Sequence, residues 1–183
     1  MSFADKISSI RIILIPVFVS LLIYSETHPA MRYFAVAVFV LAILTDFFDG
    51  MVARIKKEKS ELGQIIDPLA DKLLLLTAFI TLLVLRQYPM YLWLVLIVVS
   101  RDLVISFGFA ILKMLKIDIE ISPSFWGKFT TFSQMITILW ILLNIPYHFY
   151  ISLVAAAFTL VSGLDYFLRG IKALNAEVNS SHS

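Results

Sequence analysis

Cysteine is absent from all 183 residues, which excludes disulfides and thiolate metal ligands. Histidine is scarce too: there are three, and no His/Cys set exists to favour zinc. Charge is sparse. Lys, Arg, Asp and Glu make up 15% of the chain against 60% hydrophobic residues, which excludes an ordinary soluble globular composition. No small-x-small cleavage pattern follows the first apolar stretch, so that stretch is expected to remain as a helix rather than act as a signal peptide. Internal repeats and low-complexity tracts are missing, as are broken helices with the inverted symmetry of transporters.

Long apolar runs fill the space instead. A hydrocarbon layer of about 30 Å needs about 20 apolar residues per helix. Six such stretches occur, at residues 7–24, 32–53, 65–85, 90–112, 125–145 and 148–168, with Pro16 a possible kink in the first. The expected fold is all-α: a polytopic membrane protein with six transmembrane helices forming one domain over residues 1–174. A polar, frayed tail is expected from Asn175 to Ser183.

The formal charge of +2 has a topological explanation and does not point to nucleic acid. Lys6 and Arg11 open the first span, and Arg54, Lys56, Lys57 and Lys59 lie between spans two and three. Lys113, Lys116 and Lys128 flank the gap between spans four and five, and Arg169 and Lys172 follow span six. The other side has only Arg32 and Arg86. The positive-inside rule then places both termini and the basic loops in the cytoplasm, as expected for an inner-membrane protein. The opposite connections are short, at 25–29, 87–89 and 144–146, which favours antiparallel neighbouring helices.

Against this apolar background stands a run of carboxylates. It reads Asp46-x-x-Asp49-Gly50-x-x-Ala53-Arg54, eight residues, Gly63, three residues, Asp67, three residues, Asp71. Asp46, Asp49, Gly50 and Ala53 fall at i, i+3, i+4 and i+7, one face of a helix. Asp67 and Asp71 are one turn apart at the start of span three, and a loop containing Gly63 is expected to let the two faces converge. One charged side chain at the bilayer centre costs roughly 2.5–3.5 kcal/mol on insertion scales, so four carboxylates at membrane helices call for a strong partner. Hard oxygen ligands suit Mg²⁺ or Mn²⁺. Gly50 and Ala53 leave a groove for a flat ligand, and Arg54 offers a bidentate phosphate donor. The set suggests phosphoryl-type transfer, with two divalent ions clamping a pyrophosphate and Asp71 taking a proton from an incoming hydroxyl. Simple pairing of the aspartates with Arg54, Lys56, Lys57, Lys59 and Lys72 would require neither the groove nor the periodicity.

The run resembles, at every fixed position, the signature D-x2-D-G-x2-A-R-x8-G-x3-D-x3-D of the CDP-alcohol phosphatidyltransferase family, and the six-span hydropathy resembles that family over nearly the whole chain. The resemblance implies an integral membrane enzyme that moves a phosphatidyl group from CDP-diacylglycerol to an alcohol and releases CMP. It implies Asp46, Asp49, Asp67 and Asp71 as metal ligands, with Asp71 also the catalytic base. Asp46, Gly50, Ala53, Arg54 and Gly63 would surround CDP-diacylglycerol. Membrane lipids would be partners, and family members are commonly homodimers.

Asp67-Pro68-Leu69-Ala70-Asp71-Lys72 resembles the D-P-x-A-D-K form of the phosphatidylglycerophosphate synthase and CMP-forming cardiolipin synthase branches. Asp5, Ser8 and Arg11 fit an N-x2-T-x2-R pattern loosely, and Gly127-Lys128-x-x-Thr131-x-x-Gln134 resembles a segment shared by both branches. One departure is Ser100-Arg101-Asp102 followed by Phe109, where the first branch has S-R-E and a second Arg. Glycerol 3-phosphate is the expected acceptor, with Arg101, Lys128 and Thr131 as its binding residues; phosphatidylglycerol is the alternative. From other classes come a divalent-cation transporter using the aspartates as an ion path, and an inactive structural relative.

Each remaining polar residue has a plainer reading. Arg101 could pair with Asp102 or snorkel, Lys128 could be a topology anchor, and Thr131 and Gln134 could be interhelical hydrogen-bonding groups. Asp165 and Arg169 stand at i, i+4 as a helix-surface pair. Trp93, Trp126 and Trp140 read as interfacial or lipid-facing, and His28 and His148 as remote from the chemistry.

Overall fold

In the computed structural model the backbone is described for residues 3–56, 61–114 and 124–181, and side chains for 11–45, 72–108, 111, 114 and 124–172. Every regular element among the described residues is a helix: α1 Phe3–Tyr24, α2 Met31–Lys56, α3 Glu61–Val84, α4 Leu92–Met114, α5 Phe125–Leu142 and α6 His148–Ser181. Each apolar run became one helix. Two expectations need correction. Helix α3 begins at Glu61, so Gly63 lies in its first turn rather than in a loop. Residues 175–181, expected to fray, belong to α6.

The first compact unit comprises Met1–Met90 with Ile138–Ile145. There α1 packs against both α2 and α3. Its core follows helical spacing: Phe18 and Leu22 on α1; Ala35, Phe39 and Ala42 on α2; Leu74, Ala78, Phe79 and Leu82 on α3. The Phe18 and Phe39 rings meet at 5.4 Å between centroids. Helix α1 continues through Pro16, whose carbonyl accepts the Ser20 hydroxyl at 2.8 Å. At the far end the turns after α1 and α3 are tied together. The Ser25 and Tyr88 hydroxyls lie 2.8 Å apart, and Gln87 Nε2 donates to Ser25 Oγ at 3.0 Å.

Helix α5 ends in a Schellman motif. Asn144 takes a left-handed φ of 53°, its N–H donates to the Ile141 carbonyl at 3.0 Å, and the Ile145 N–H reaches the Trp140 carbonyl at 3.1 Å. Pro146 follows and cannot continue the helix.

The second unit comprises Tyr91–Thr137 and Pro146–Ser183. In it α4 packs on α6, and α5 meets α6 along a polar seam. Thr130, Ser133, Gln134 and Thr137 form a buried stripe at i, i+3, i+4 and i+7. Opposite them Ser152, Ala155, Ala156, Thr159 and Ser162 are buried on α6. Thr130 Oγ1 donates to the Phe158 carbonyl at 2.8 Å, and Gln134 Nε2 donates to Thr159 Oγ1 at 3.1 Å. Large apolar residues such as Leu153, Val154, Leu160, Val161, Leu164 and Phe167 face outward on the same helix. Small and polar inside with large and apolar outside is how helices pack in a lipid solvent, where interhelical hydrogen bonds and close backbone approach replace the hydrophobic driving force. One stretch among the described residues, His148–Lys172, is long and apolar enough to cross a membrane; Arg11–Tyr24, Met31–Thr45 and Lys72–Val84 are shorter apolar stretches.

Candidate active site

The sequence-derived site begins on α2 and α3. Asp46, Asp49, Gly50, Ala53 and Arg54 all fall within the continuous helix Met31–Lys56, and Gly63, Asp67 and Asp71 within Glu61–Val84. The helical spacing behind the shared-face reading therefore holds at the backbone level. The side chains of these residues, and with them the convergence of the two carboxylate pairs, lie outside the described residues. Among the described residues no group of three or more His, Cys, Asp or Glu gathers. As a donor set the four aspartates are all hard oxygen, which fits a divalent ion such as Mg²⁺ or Mn²⁺.

Arg11 was not among the expected site residues. It is only 1% exposed on α1, the helix that packs against both aspartate-bearing helices. Its charge inside a largely apolar unit marks it as functional or tightly compensated. The loose N-terminal pattern ending at Arg11 was the available signal.

The second part of the expected site is held by α4, α5 and α6. Arg101 has a side chain 13% exposed and is fixed from several directions. Its Nη1 donates to Asp102 at 2.6 Å and its Nη2 to the Ser162 hydroxyl at 2.7 Å. The guanidinium carbon stands 5.6 Å from the centroid of the Tyr166 ring, a cation–π distance. A Cβ on Gly163 would come within 3.4 Å of the Arg101 stem, so the small residue admits the arginine against α6. The pairing with Asp102 is thus present, but Arg101 does not snorkel outward. It is a hydrogen-bonded, partly neutralised cation.

Lys128, one turn into α5, is exposed and borders an open cavity of about 240 Å³ with Phe129 and Phe132. Thr131 Oγ1 donates to the Gly127 carbonyl of its own helix at 3.2 Å, while Gln134 bonds across to α6. Asp165 pairs with Arg169 at 3.1 Å across one helical turn. It also accepts the hydroxyl of Ser124, the residue just before α5. That second contact was not legible in the i, i+4 spacing.

Helices as every regular element among the described residues, small and polar seams under an apolar exterior, and the aspartate run in the sequence together fit a membrane-associated phosphatidyltransferase. The chain belongs to the CDP-alcohol phosphatidyltransferase family, whose sequence model matches residues 1–161. It is 35% identical over 176 residues to the probable phosphatidylglycerophosphate synthase of Mycobacterium tuberculosis (strain H37Rv), covering 92% of this chain and 81% of the relative. It is 30% identical over 188 aligned positions to the CDP-diacylglycerol–glycerol-3-phosphate 3-phosphatidyltransferase of Bacillus subtilis (strain 168), covering 93% and 95%. The enzyme of the same name from Pseudomonas fluorescens is 30% identical over 172 residues, covering 89% and 83%. Membership in a transferase family sets the cation-transport alternative aside.

Proposed function

We propose that this chain transfers the phosphatidyl group of CDP-diacylglycerol to glycerol 3-phosphate, forming phosphatidylglycerophosphate and CMP. The observation that carries this reading is the likeness, over nearly the full chain, to relatives whose names specify that transfer, together with an intact aspartate signature. Asp46, Asp49, Asp67 and Asp71 would hold the divalent metal on which the family depends, Mg²⁺ or Mn²⁺, as two ions. When bound, the metal would neutralise charge on the pyrophosphate and the leaving CMP. Gly50 and Ala53 admit the cytidine, Gly63 lies close by, and Arg54 holds the nucleotide phosphate. Asp71 accepts the proton of the acceptor hydroxyl, whose oxygen attacks the lipid-bearing phosphorus as the bond to the CMP oxygen breaks. Arg101, fixed by Asp102 and Ser162, and the exposed Lys128 supply positive charge for the acceptor phosphate, with Thr131 on the same face of α5 as Lys128.

In this reading all six helices cross the inner membrane as one domain over residues 1–174, with both termini and the site cytoplasmic, and the protein works as a homodimer among membrane lipids. A second reading, CMP-forming cardiolipin synthase with phosphatidylglycerol as acceptor, is favoured by Asp102 and Phe109 where the other branch has Glu and Arg. The deciding test is CMP release from CDP-diacylglycerol and Mg²⁺, with glycerol 3-phosphate and phosphatidylglycerol in separate reactions. Release with glycerol 3-phosphate alone supports the first reading, and release with phosphatidylglycerol alone replaces it by the second.

A further inference from the structure

Tyr166 follows Ser162 by one turn on α6 and touches two other helices of its unit. Its ring lies under the Arg101 guanidinium, 5.6 Å from centroid to Cζ. Its hydroxyl accepts the backbone N–H of Ser124 at 3.3 Å, immediately before α5. A notch in α5 makes room for the ring. A Cβ on Gly127 would stand 3.3 Å from the Tyr166 hydroxyl, 3.5 Å from its Cε2 and 3.8 Å from Arg101 Nη2. Gly127 directly precedes Lys128, so one aromatic ring spaces the α4 cation from the helical turn that carries the next cation.

Asp102 already offsets part of the Arg101 charge, which leaves placement as the property that decides how well the guanidinium meets a phosphate. Asp102 and Ser162 each hold one terminal nitrogen, Nη1 and Nη2, and the plane could still turn about the line joining them. The flat ring of Tyr166 restrains the plane itself.

We infer that Tyr166 is a positioning residue for the acceptor: it sets the plane of Arg101 and the spacing between Arg101 and the first turn of α5, and so governs affinity for a phosphate-bearing alcohol without touching the reacting atoms. The inference rests on the reading of Arg101 as an acceptor-phosphate ligand. A tyrosine that merely fills space would affect stability, or both substrates alike.

The test compares KM values for glycerol 3-phosphate and for CDP-diacylglycerol, and kcat, in the purified full chain. The variants are Tyr166→Phe, Tyr166→Leu, Gly127→Ala and Arg101→Lys, with the tryptophan emission spectrum and elution volume checked for each. Tyr166→Leu is expected to raise the KM for glycerol 3-phosphate roughly tenfold, the worth of a partly desolvated cation–π contact, with the other two constants within about twofold. Tyr166→Phe keeps the ring and should stay within about threefold of the parent. Gly127→Ala, which crowds the Tyr166 hydroxyl, should raise the same KM while retaining the fold, and carries the test if Tyr166→Leu does not fold. Equal shifts in both KM values, a change in kcat alone, or no change would overturn the inference. Arg101→Lys separates the two levels. If it leaves the glycerol 3-phosphate KM unchanged, the acceptor reading of Arg101 fails and the role of Tyr166 fails with it. If it raises that KM while the Tyr166 and Gly127 variants do not, only the role of Tyr166 fails.

Discussion

Gln134 and Thr159 allow the polar seam to be tested quantitatively. Gln134 is 3% exposed and Thr159 fully buried; the Gln134 amide donates to the Thr159 hydroxyl at 3.1 Å, and that hydroxyl donates to the Ala155 carbonyl at 2.7 Å. Gln134→Leu removes the amide and keeps most of its volume. The Thr159 hydroxyl still has Ala155, so with both helices in the membrane, as proposed, the cost should be that of one interhelical hydrogen bond in lipid, about 0.6 kcal/mol and at most about 1.7. Thr159→Val removes the acceptor instead and leaves the Gln134 amide buried in the seam without that partner. An orphaned buried polar group costs about 1–3 kcal/mol. Thr159→Val should therefore destabilise more than Gln134→Leu, by about 1 kcal/mol. The double variant should cost less than the two singles added, because no orphan remains. The assay is reversible unfolding in mixed micelles of increasing SDS fraction, followed by emission of the three tryptophans. CMP release per folded molecule should not change with Gln134→Leu. A larger loss from Gln134→Leu than from Thr159→Val, or a raised acceptor KM, would refute the reasoning and move Gln134 into the site.

Further outcomes are expected. Asp71→Asn should lower CMP release by roughly 10²- to 10⁴-fold, the range for loss of a positioned base, while binding of a CDP-containing nucleotide measured by calorimetry is retained; full activity would remove Asp71 from that role. Arg169→Ala should change stability by less than about 0.5 kcal/mol, since Arg169 is half exposed and its bond to Asp165 is a surface i, i+4 pair. A larger loss in the same SDS titration would mean that Arg169 acts through the Ser124–Asp165 contact. Because the chain has no cysteine, Glu26→Cys and Lys172→Cys each give a single thiol. An impermeant maleimide should label the first in intact cells and the second only after permeabilisation, and the reverse pattern would invert the proposed orientation.

The helices were legible because each apolar run is also the length of a helix; 144–146 read only as a short connection, and the left-handed cap at Asn144 that ends α5 came from the structure. The continuation of α6 to Ser181 was hidden because apolar runs mark burial in lipid, whereas a helix can extend beyond them with a polar exterior. Gly63 read as a turn residue because glycine weakens helices, yet the helix had already begun two residues earlier. The aspartate run was the clearest signal of the family, since charge is so rare around it. The setting of Arg101 was less visible. Asp102 could be guessed from adjacency, but Ser162 and Tyr166 lie more than sixty residues away, and only the packing of α4 on α6 brings them to the guanidinium. Arg11 went unweighted because a lone arginine opening a span reads first as a topology signal, and its burial depends on helices that come later in the chain.

The seam also fixes where this chain can vary. Along α6 the inward positions Ala155, Ala156, Ser162 and Gly163 sit where another helix or the Arg101 stem approaches, and Leu153, Leu160 and Leu164 look outward. In a water-soluble helix, trimming a large inward residue does the harm and the outside tolerates almost anything polar. With α6 in the membrane, as proposed, enlarging a small inward residue would force two helices apart, and the outside would tolerate exchange among bulky apolar side chains but not charge. A saturation mutagenesis map of α6 should therefore show its strictest limits on size at the smallest residues, and related chains should drift fastest at their largest.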